Sequence, residues 1–384
     1  MSNKKKRIGI DARLYGPLGK GLGRYTQEIV DNIIKIDREN EFVIFLYQDN
    51  FDEFEPPSDK VKKVLVRARW YTFKEQVLMP YLIYREKLDL VHFPHFNVPI
   101  LTPKKFVVTI HDLILTKFPT VRASTLNPWL YKIKNFFYKL VIKLAVKRAR
   151  KIITVSEFTK SDIIEQFKVS SDKIGVTYEG VSNLSKGRDS LFVSKLDDTD
   201  TLLSYNIDKD FLLYVGNAYP HKNLEGLIKA FVRLYPKRPW IYLVLVGKED
   251  YFYKKLKELV KESYSDFPII FTGYVPDEEL EIMYQKALAY VFPSLYEGFG
   301  LPPLEAMSKK CVVLSSNRSS MPEILEDAAI YFDPESKEDM ISKMDKIIKD
   351  KKLRQEMIKK GEKQVKKYNW WECARETLEV YKNV

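Results

Sequence analysis

The chain has 384 residues, of which 45% are hydrophobic and 30% charged, and its formal net charge is +12. This length exceeds that of one ordinary domain and the composition is globular, so we expect two folded domains and exclude intrinsic disorder. Two cysteines, no zinc-ligand spacing and no apolar run of about 18 residues argue against a disulfide framework, a metal site and a membrane-spanning segment.

The first residues, MSNKKKRIGIDAR, are basic, but no apolar stretch of signal-peptide length follows them. We therefore expect a cytoplasmic protein. The positive net charge indicates an anionic partner, for which nucleic acid, anionic lipid and phosphorylated small molecules all qualify.

The first half of the chain alternates short β-branched runs with longer helical patterns. The runs are RIGIDAR, EFVIFLY, KVLVRA, DLVHF, KFVVTIHD, KIITVSE and KIGVTYEG. This alternation predicts an α/β domain built on a doubly wound parallel sheet.

A glycine-rich segment, GPLGKGLGRY at 16–25, follows the first predicted strand and opens a helix. Its glycines could bring backbone amides to a phosphate, although a plain turn is the alternative. The spacing of Gly19, Gly21 and Gly23 lacks the interval of three found in the dinucleotide fingerprint, which disfavours a nicotinamide dehydrogenase.

A basic helix is predicted at 131–151, YKIKNFFYKLVIKLAVKRARK, where apolar residues recur at helical spacing among lysines and arginines. Two interpretations stay open. The helix either packs its apolar face into the core or lies on an anionic membrane surface.

The alternation of short β-branched runs and helical patterns stops after residue 184, and we interpret 185–209 as a linker. A second alternating series follows, so the predicted domains are 1–195 and 196–367, with a C-terminal helix at 368–384. Ligands of open α/β sheets bind outside the carboxyl ends of the strands, so two such domains facing each other would enclose a cleft.

Two glutamates flank a turn rich in glycine and proline in SLYEGFGLPPLEAM, residues 294–307. Proline favours a helix start at 302 or 303, which leaves Glu297 in the turn and puts Glu305 in the first helical turn. Backbone amides near the helix start, between the two glutamates, could bind a phosphate. Each carboxylate could accept hydrogen bonds from two vicinal hydroxyls of a sugar. The combination suits a nucleotide-diphospho-sugar. The alternative is two glutamates that bind no ligand.

These residues carry a resemblance to a known family. The glutamate pair, with FTGYVPDEELEIMYQKA before it and SSMPEILEDAAIYFDP after it, resembles family 4 of the retaining GT-B glycosyltransferases. Matching segments cover nearly the whole chain, among them IGIDARLYGPLGKGLGRYTQEIV, VVTIHDL, IITVSEFTKSDI and YVGNAYPHKNLEGLIKAF.

The resemblance implies a fold and an activity. The fold would be GT-B, α/β, with two Rossmann-like doubly wound domains facing across a cleft. The C-terminal helix at 368–384 would cross back onto the N-terminal domain. A nucleotide-diphospho-sugar would bind mainly to the C-terminal domain and the acceptor mainly to the N-terminal one. The activity would be that of a retaining hexosyltransferase that needs neither a metal ion nor another cofactor.

The resemblance also implies roles for particular residues. Glu305 matches the ribose-binding glutamate, Glu297 the one that holds the sugar hydroxyls, and Lys222 the lysine on the diphosphate. The implied catalytic residues are Glu297, Lys222 and His111, of which His111 would reach the donor hexose. Taken alone, Lys222 could be a solvated lysine and His111 a structural histidine.

Further residues are expected at the donor and acceptor sites. Many family members carry an arginine at the place of Asn217, so a second phosphate cation is not identified. The remaining predicted donor-binding residues are Gly21, Gly23, Gly216, Asn217, Gly298, Phe299, Gly300 and Leu301. The predicted acceptor residues are Trp70, Glu75, His92 and His95, with packing as the alternative for both histidines.

Retention of configuration needs either a covalent intermediate or attack on the face that the leaving group departs from. No carboxylate in these motifs is an obvious nucleophile, and the resemblance implies the second route, through an oxocarbenium-like state. The leaving diphosphate itself could then take the acceptor proton. Lys222 and the helix start at 298–303 would stabilise its charge.

Only similarity to known proteins limits the choice of donor and acceptor. RWYTFKEQ and HKNLEGLIKAF resemble bacterial O-antigen mannosyltransferases, which favours GDP-mannose, with a UDP-hexose second. A saccharide or lipid-linked acceptor at the inner membrane face would explain the basic helix. The alternatives are a GT-B nucleotide-sugar hydrolase, epimerase or phosphorylase and, more distantly, a nucleic-acid-binding protein, although no nucleic-acid-binding signature is present.

Overall fold

The structure, a computed structural model, describes residues 5–103, 105–118, 128–181 and 197–384. The chain divides into two compact units, Met1–Gly180 together with Asn369–Val384, and Val181–Tyr368. The predicted boundary at 195–196 and the first part of the predicted linker lie outside the described residues. The rest of that linker is partly helical, because the side chain of Asp197 accepts hydrogen bonds from the first amides of the helix Asp198–Ser204.

The N-terminal unit is built on seven parallel strands in the order β3-β2-β1-β4-β5-β6-β7. The strands are β1 Arg7–Asp11, β2 Glu41–Leu46, β3 Val61–Leu65, β4 Leu90–Phe93, β5 Phe106–Ile110, β6 Lys151–Thr154 and β7 Ile174–Val176. The helices that precede β7 are α1 Lys20–Ile36, α2 Phe73–Arg85, α3 Ile114–Lys117, α4 Pro128–Arg148 and α5 Glu157–Phe167. The strand order reverses between β1 and β4.

The second unit is built on six parallel strands in the order β10-β9-β8-β11-β12-β13. The strands are β8 Phe211–Val215, β9 Tyr242–Val246, β10 Ile269–Gly273, β11 Ala289–Phe292, β12 Val313–Ser316 and β13 Ala329–Phe332. The helices are α6 Asp198–Ser204, α7 Leu224–Leu234, α8 Tyr251–Ser263, α9 Asp277–Lys286, α10 Leu301–Ser308, α11 Met321–Leu325, α12 Lys337–Lys349 and α13 Lys351–Val365. Here the order reverses between β8 and β11. The prediction of two doubly wound parallel sheets is confirmed.

The last helix, Trp370–Lys382, belongs to the N-terminal unit and packs along α1. Its Tyr381 hydroxyl lies 2.6 Å from Nδ1 of the buried His92, and Trp370 packs edge-on against Tyr25 with ring centroids 5.9 Å apart. The end of the chain therefore completes the core of the first domain.

The predicted basic helix is α4, and its apolar residues do not form one buried face. Ile142, Ala145 and Val146, in the second half, are buried in the core, whereas Phe136 and Phe137 in the first half are exposed. The described residues include no helix with both the length and the hydropathy needed to cross a membrane.

Gly21 and Gly23, the predicted donor-binding glycines of the glycine-rich segment, lie in α1, because that helix begins at Lys20, whereas Gly16 and Gly19 precede it. A Cβ atom on Gly23 would lie 2.1 Å from the carbonyl oxygen of Gly16, so Gly23 permits a close approach of two backbone segments. A Cβ atom on Gly21 would meet nothing within 4 Å.

We therefore expect Gly23→Ala to lower the free energy of unfolding by about 1–3 kcal/mol, because residues 14–16 must move aside. Gly21→Ala is the matched control, and its higher helix propensity should leave stability unchanged or raise it by about 1 kcal/mol. Urea unfolding of the two variants checks this, and equal midpoints would contradict the packing role of Gly23.

Candidate active site

The carboxyl ends of β8 and β11 hold an ion pair in the second unit. Lys222 ends a short 3₁₀ turn after β8, and Glu297 lies in the loop after β11. The Lys222 ammonium donates to Oε1 of Glu297 at 2.6 Å, and the two side chains are only 13% and 10% exposed. Shielding from water strengthens the attraction compared with a surface pair, but it also makes either charge costly to leave unpaired.

Glu297 is oriented by two serines that follow β12. The Glu297 amide donates to Oγ of Ser319 at 3.0 Å, and Oγ of Ser320 donates to the carbonyl oxygens of Glu297 and Phe299 at 3.1 Å each. No role was predicted for these serines, which belong to the segment SSMPEIL. Their relevance depends on β12 lying beside β11, which only the sheet order shows.

Two contacts with β11 and the loop after it also hold Lys222 and its neighbour His221 in place. Its ammonium lies 5.3 Å from the centre of the Phe292 ring, and the amide of Leu295 donates to the carbonyl of His221 at 2.7 Å, which ties the two loops together. Burial, together with the charge of Lys222, lowers the pKa of His221 to about 4. His221 is therefore neutral at neutral pH, and Lys222 supplies the positive charge at this position.

The turn after Glu297 leads into α10 through Gly300. Gly300 has φ +105°, and a Cβ atom there would lie 2.3 Å from Cε of Met321, so the turn requires glycine. The helix begins at Leu301, before the predicted start at 302 or 303, because the turn already ends at Gly300. Glu305 is its fifth residue, so the prediction that Glu305 lies in the first turn is wrong by about one residue.

Gly216 and Asn217 shape the loop that carries Lys222. The Gly216 amide donates to the carbonyl of Val246 at 3.0 Å, and Oδ1 of Asn217 accepts from the amide of Tyr219 at 3.3 Å. The predicted donor residues of this unit, Lys222 and 216–217 after β8 and 297–301 after β11, thus follow two adjacent strands.

A second candidate site lies in the N-terminal unit, at the ends of β1 and β4. A pocket that is partly open to solvent is lined by Asp11, Arg13, Leu14, Thr26, Trp70, Pro94, His95 and Asn97. The structure therefore brings Trp70 and His95 of the predicted acceptor residues together. It adds four polar residues that were not predicted, Asp11, Arg13, Thr26 and Asn97.

Glu75 does not line this pocket but binds two of the side chains that do. Its fully buried carboxylate accepts from Arg13 at 2.6 Å, from Asn97 at 2.8 Å and from the Tyr71 amide at 2.7 Å. Burial would lower the pKa of Arg13, but Asp11 and Glu75 outweigh it and raise that pKa, so the guanidinium stays charged. The role of Glu75 is to position two pocket side chains.

The N-terminal histidines have three different environments. His92 is buried, with Nε2 2.8 Å from Oγ1 of Thr109 and Nδ1 bonded to Tyr381, so the packing alternative holds for it. His95 is 2.7 Å from the Tyr71 hydroxyl. Burial and the charge of His111 lower the pKa of His92 and His95 to about 3, which keeps both rings neutral.

His111 differs because both of its ring nitrogens face acceptors. Nδ1 lies 3.0 Å from Oε1 of Glu179, and Nε2 lies 2.9 Å from the carbonyl oxygen of Pro94, which lines the pocket. Burial would lower the pKa of His111, but the hydrogen bond and charge of Glu179, helped by Pro94 and Asp112, outweigh it and raise that pKa. An imidazolium here can donate hydrogen bonds but cannot accept a proton.

Comparison with protein families gives two matches. Residues 19–183 match the model described as Glycosyltransferase Family 4, and residues 203–364 match that described as Glycosyl transferases group 1. Each match covers one of the two α/β units.

Individual proteins extend these matches over the whole chain. The O-antigen chain mannosyltransferase B of Escherichia coli is 29% identical over 94% of this chain and 96% of its own length. The O-antigen chain mannosyltransferase RfbU of Salmonella typhimurium is 29% identical over 69% of this chain and 67% of its own. The solved sucrose-phosphate synthase of Thermosynechococcus elongatus superposes with a TM-score of 0.74 over 99% of both chains at 18% identity, which shows a shared GT-B fold.

We expect the His111 ring to titrate above pH 6.5 in an NMR experiment, and Glu179→Gln to lower its midpoint. The assignment is direct, because the pKa values of the other three histidines are lowered to about 3, 3 and 4. The stability contributed by the His111–Glu179 pair should be complete below pH 6.5 and disappear as the pH rises through the raised pKa. A midpoint below 6.5 in the unmodified protein would contradict this account.

Proposed function

Because this chain belongs to glycosyltransferase family 4, we propose that it transfers mannose from GDP-mannose to a saccharide or lipid-linked saccharide acceptor, with retention of configuration. The observation that carries this proposal is the shielded Lys222–Glu297 pair at the reversal of strand order in the second unit. The two relatives named as O-antigen mannosyltransferases support mannose and polysaccharide synthesis.

The ion pair offers both groups that a nucleotide-diphospho-sugar needs. A diphosphate carries more negative charge than one carboxylate, so it would draw the Lys222 ammonium away from Glu297. The released carboxylate could then accept hydrogen bonds from vicinal sugar hydroxyls, while Ser319 and Ser320 keep its backbone in place. Glu305, further along α10, is proposed to hold the ribose.

The same elements would stabilise the leaving group. Negative charge grows on the diphosphate as the glycosidic bond breaks, and the Lys222 ammonium and the amino-terminal end of α10 both favour it. This is the role that a divalent cation fills in other transferases, so we propose that transfer needs no metal ion.

The acceptor proton is proposed to go to the leaving phosphate. His111 is unsuited as the base, because its two nitrogens already donate to Glu179 and to the Pro94 carbonyl. It would instead donate a hydrogen bond to the donor sugar, in exchange for the one it makes to Pro94.

The pocket of the N-terminal unit is the proposed acceptor site. Trp70 offers an aromatic face against which a sugar ring can pack, and Arg13, Asn97 and Asp11 offer donors and acceptors for hydroxyl groups. We propose that the enzyme works in the cytoplasm at the inner face of the membrane, where lipid-linked acceptors are found.

Two alternatives keep the same site. A UDP-hexose would replace GDP-mannose if the base pocket prefers uracil, and a hydrolase or epimerase would release free sugar or an altered nucleotide sugar. Product analysis separates these from a transferase, which forms a new glycoside. Neither the family matches nor the relatives indicate nucleic-acid binding.

Replacing Glu297 by glutamine should lower kcat at least about 100-fold at a temperature where the variant is folded, because the amide fills the same space but cannot pair with an ammonium or hold hydroxyls as strongly. The melting temperature should also fall, because the shielded Lys222 ammonium loses its partner. Glu225→Gln, at an exposed glutamate of α7 in the same unit, is the matched control and should leave kcat unchanged. Near-normal turnover in Glu297→Gln would refute the assignment.

A thermal-shift screen of GDP, UDP, ADP and dTDP sugars should show one nucleotide series that raises the melting temperature, since a ligand of the folded state alone stabilises it. We expect the GDP series, with the shift lost in Glu305→Ala. A shift with UDP sugars instead would change the donor, and one that survives Glu305→Ala would remove Glu305 from the ribose site.

Transfer should continue at an unchanged rate in excess EDTA, because Lys222 and α10 provide the charge stabilisation proposed above. Product formation with and without the chelator measures this. Loss of activity in EDTA that returns with added Mg²⁺ or Mn²⁺ would show that a metal ion takes part.

A further inference from the structure

Exposed apolar side chains are concentrated on one part of the N-terminal unit. Of the seventeen large apolar side chains that the described residues leave exposed, twelve lie between Tyr71 and Phe137. Scattered single residues of this kind are normal on a soluble protein, but a concentration within one segment marks a binding surface.

Helix α2 is the clearest part of this surface, because it is apolar on two opposite sides. One side buries Met79, Leu82 and Ile83 in the core. The other side exposes four large side chains at positions i, i+4, i+8 and i+11, which fall in one stripe along the helix, namely Phe73, Val77, Tyr81 and Tyr84. Phe73 is 90% exposed and Tyr84 is 81% exposed. Core packing accounts for the first side only.

The stripe is presented by a firmly held helix. Oγ1 of Thr72 caps it by accepting from the Glu75 amide, and Glu75 is in turn anchored to Arg13 and Asn97. A second contact ties α2 to the loop after β4. Oε1 of Gln76 accepts from the Ile100 amide at 2.8 Å, which holds the exposed Leu101 beside the helix. The exposed aromatics therefore belong to an ordered surface.

The first half of α4 extends the pattern with Trp129, Ile133, Phe136 and Phe137, all exposed. This helix lies in a stretch, residues 113–156, that contains ten lysines and arginines and no aspartate or glutamate. In α2 the one carboxylate, Glu75, is buried, whereas Lys74 and Arg85 are exposed. Both helices thus combine exposed apolar side chains with exposed basic ones, of which Arg85 is paired with Glu86.

The net positive charge of the chain is divided unevenly between its two units. The unit formed by 1–180 and 369–384 contains 34 lysines and arginines against 23 aspartates and glutamates, a net charge of +11. The unit 181–368 contains 30 against 29, a net charge of +1. Nearly all of the excess positive charge therefore lies on the unit that carries the apolar surface.

We propose that the exposed stripe of α2, together with the first half of α4, docks this protein on an anionic lipid bilayer. Phe73, Val77, Tyr81 and Tyr84 would enter the boundary between headgroups and acyl chains, where aromatic side chains are favoured, and the surrounding lysines and arginines would contact lipid phosphates. A second copy of the chain fits less well, because two faces of the same positive charge repel each other. This inference extends the membrane-facing part of the proposed function and assigns it mainly to α2 rather than to 131–151.

The test is flotation of the full chain with lipid vesicles, without donor or acceptor, so its outcome does not depend on sugar transfer. The protein should float with vesicles of phosphatidylcholine containing 30% phosphatidylglycerol and much less with phosphatidylcholine alone, and high salt should weaken the binding. The combined variant F73S, V77S, Y81S and Y84S should lower the partition coefficient at least about tenfold, because it removes the apolar part of the contact.

The control variant carries W240S, Y251S and Y274S, which remove exposed aromatics of the second unit, and it should bind like the unmodified protein. Unchanged melting temperatures show that the variants fold; should the combined variant fail to fold, the single variants F73S and Y84S replace it. Equal binding to both kinds of vesicle, or no loss in the α2 variants, would overturn the proposal. So would size-exclusion chromatography showing a dimer that the α2 variants dissociate.

Discussion

Both candidate sites depend on one constraint of parallel sheets. Where the strand order reverses, the connections of two adjacent strands leave toward opposite faces of the sheet and open a crevice at their carboxyl ends. In the second unit this happens between β8 and β11, whose loops carry Lys222 and Glu297. In the N-terminal unit it happens between β1 and β4, whose ends line the pocket with Asp11 and His95. The fold thus provides two crevices, and the residues that follow the strands give each one its chemistry.

The charged side chains of the two candidate sites form ion pairs within the protein. Lys222 is paired with Glu297, Arg13 with Asp11 and Glu75, and His111 with Glu179. Shielded ion pairs of this kind contribute little net stability, since desolvation offsets much of the attraction, but they fix side chains in one geometry. A ligand that brings its own charge and hydroxyl groups can take over such contacts without first ordering the protein. Such preorganised charges suit the electrostatic stabilisation that is proposed for the leaving diphosphate.

Helix α2 connects the site to the surface. Its first turn carries Glu75, which holds Arg13 and Asn97 in the pocket, and its opposite side carries the exposed aromatic stripe. Trp70 and Glu75 in RWYTFKEQ were predicted acceptor residues, and the resemblance of this segment to O-antigen mannosyltransferases favoured GDP-mannose. The sequence pattern does not separate the inner from the outer apolar residues of α2, because a helix that is apolar on two sides shows no amphipathic contrast. Which side faces the core depends on the sheet beneath it.

The sequence by itself determined the fold class and located the glutamate turn that is proposed as the donor site. Alternating β-branched runs and helices specify parallel sheets through local propensity and periodicity, and the glutamate turn after LAYVFPS follows a strand end in any such sheet. Only the tertiary structure decided which strand ends are neighbours, and hence that Ser319 and Ser320 orient Glu297, and that Asp11, Arg13 and Asn97 share a pocket. It also decided that Glu75 and His92 are buried, since burial depends on packing between elements far apart in the chain, which no local pattern records.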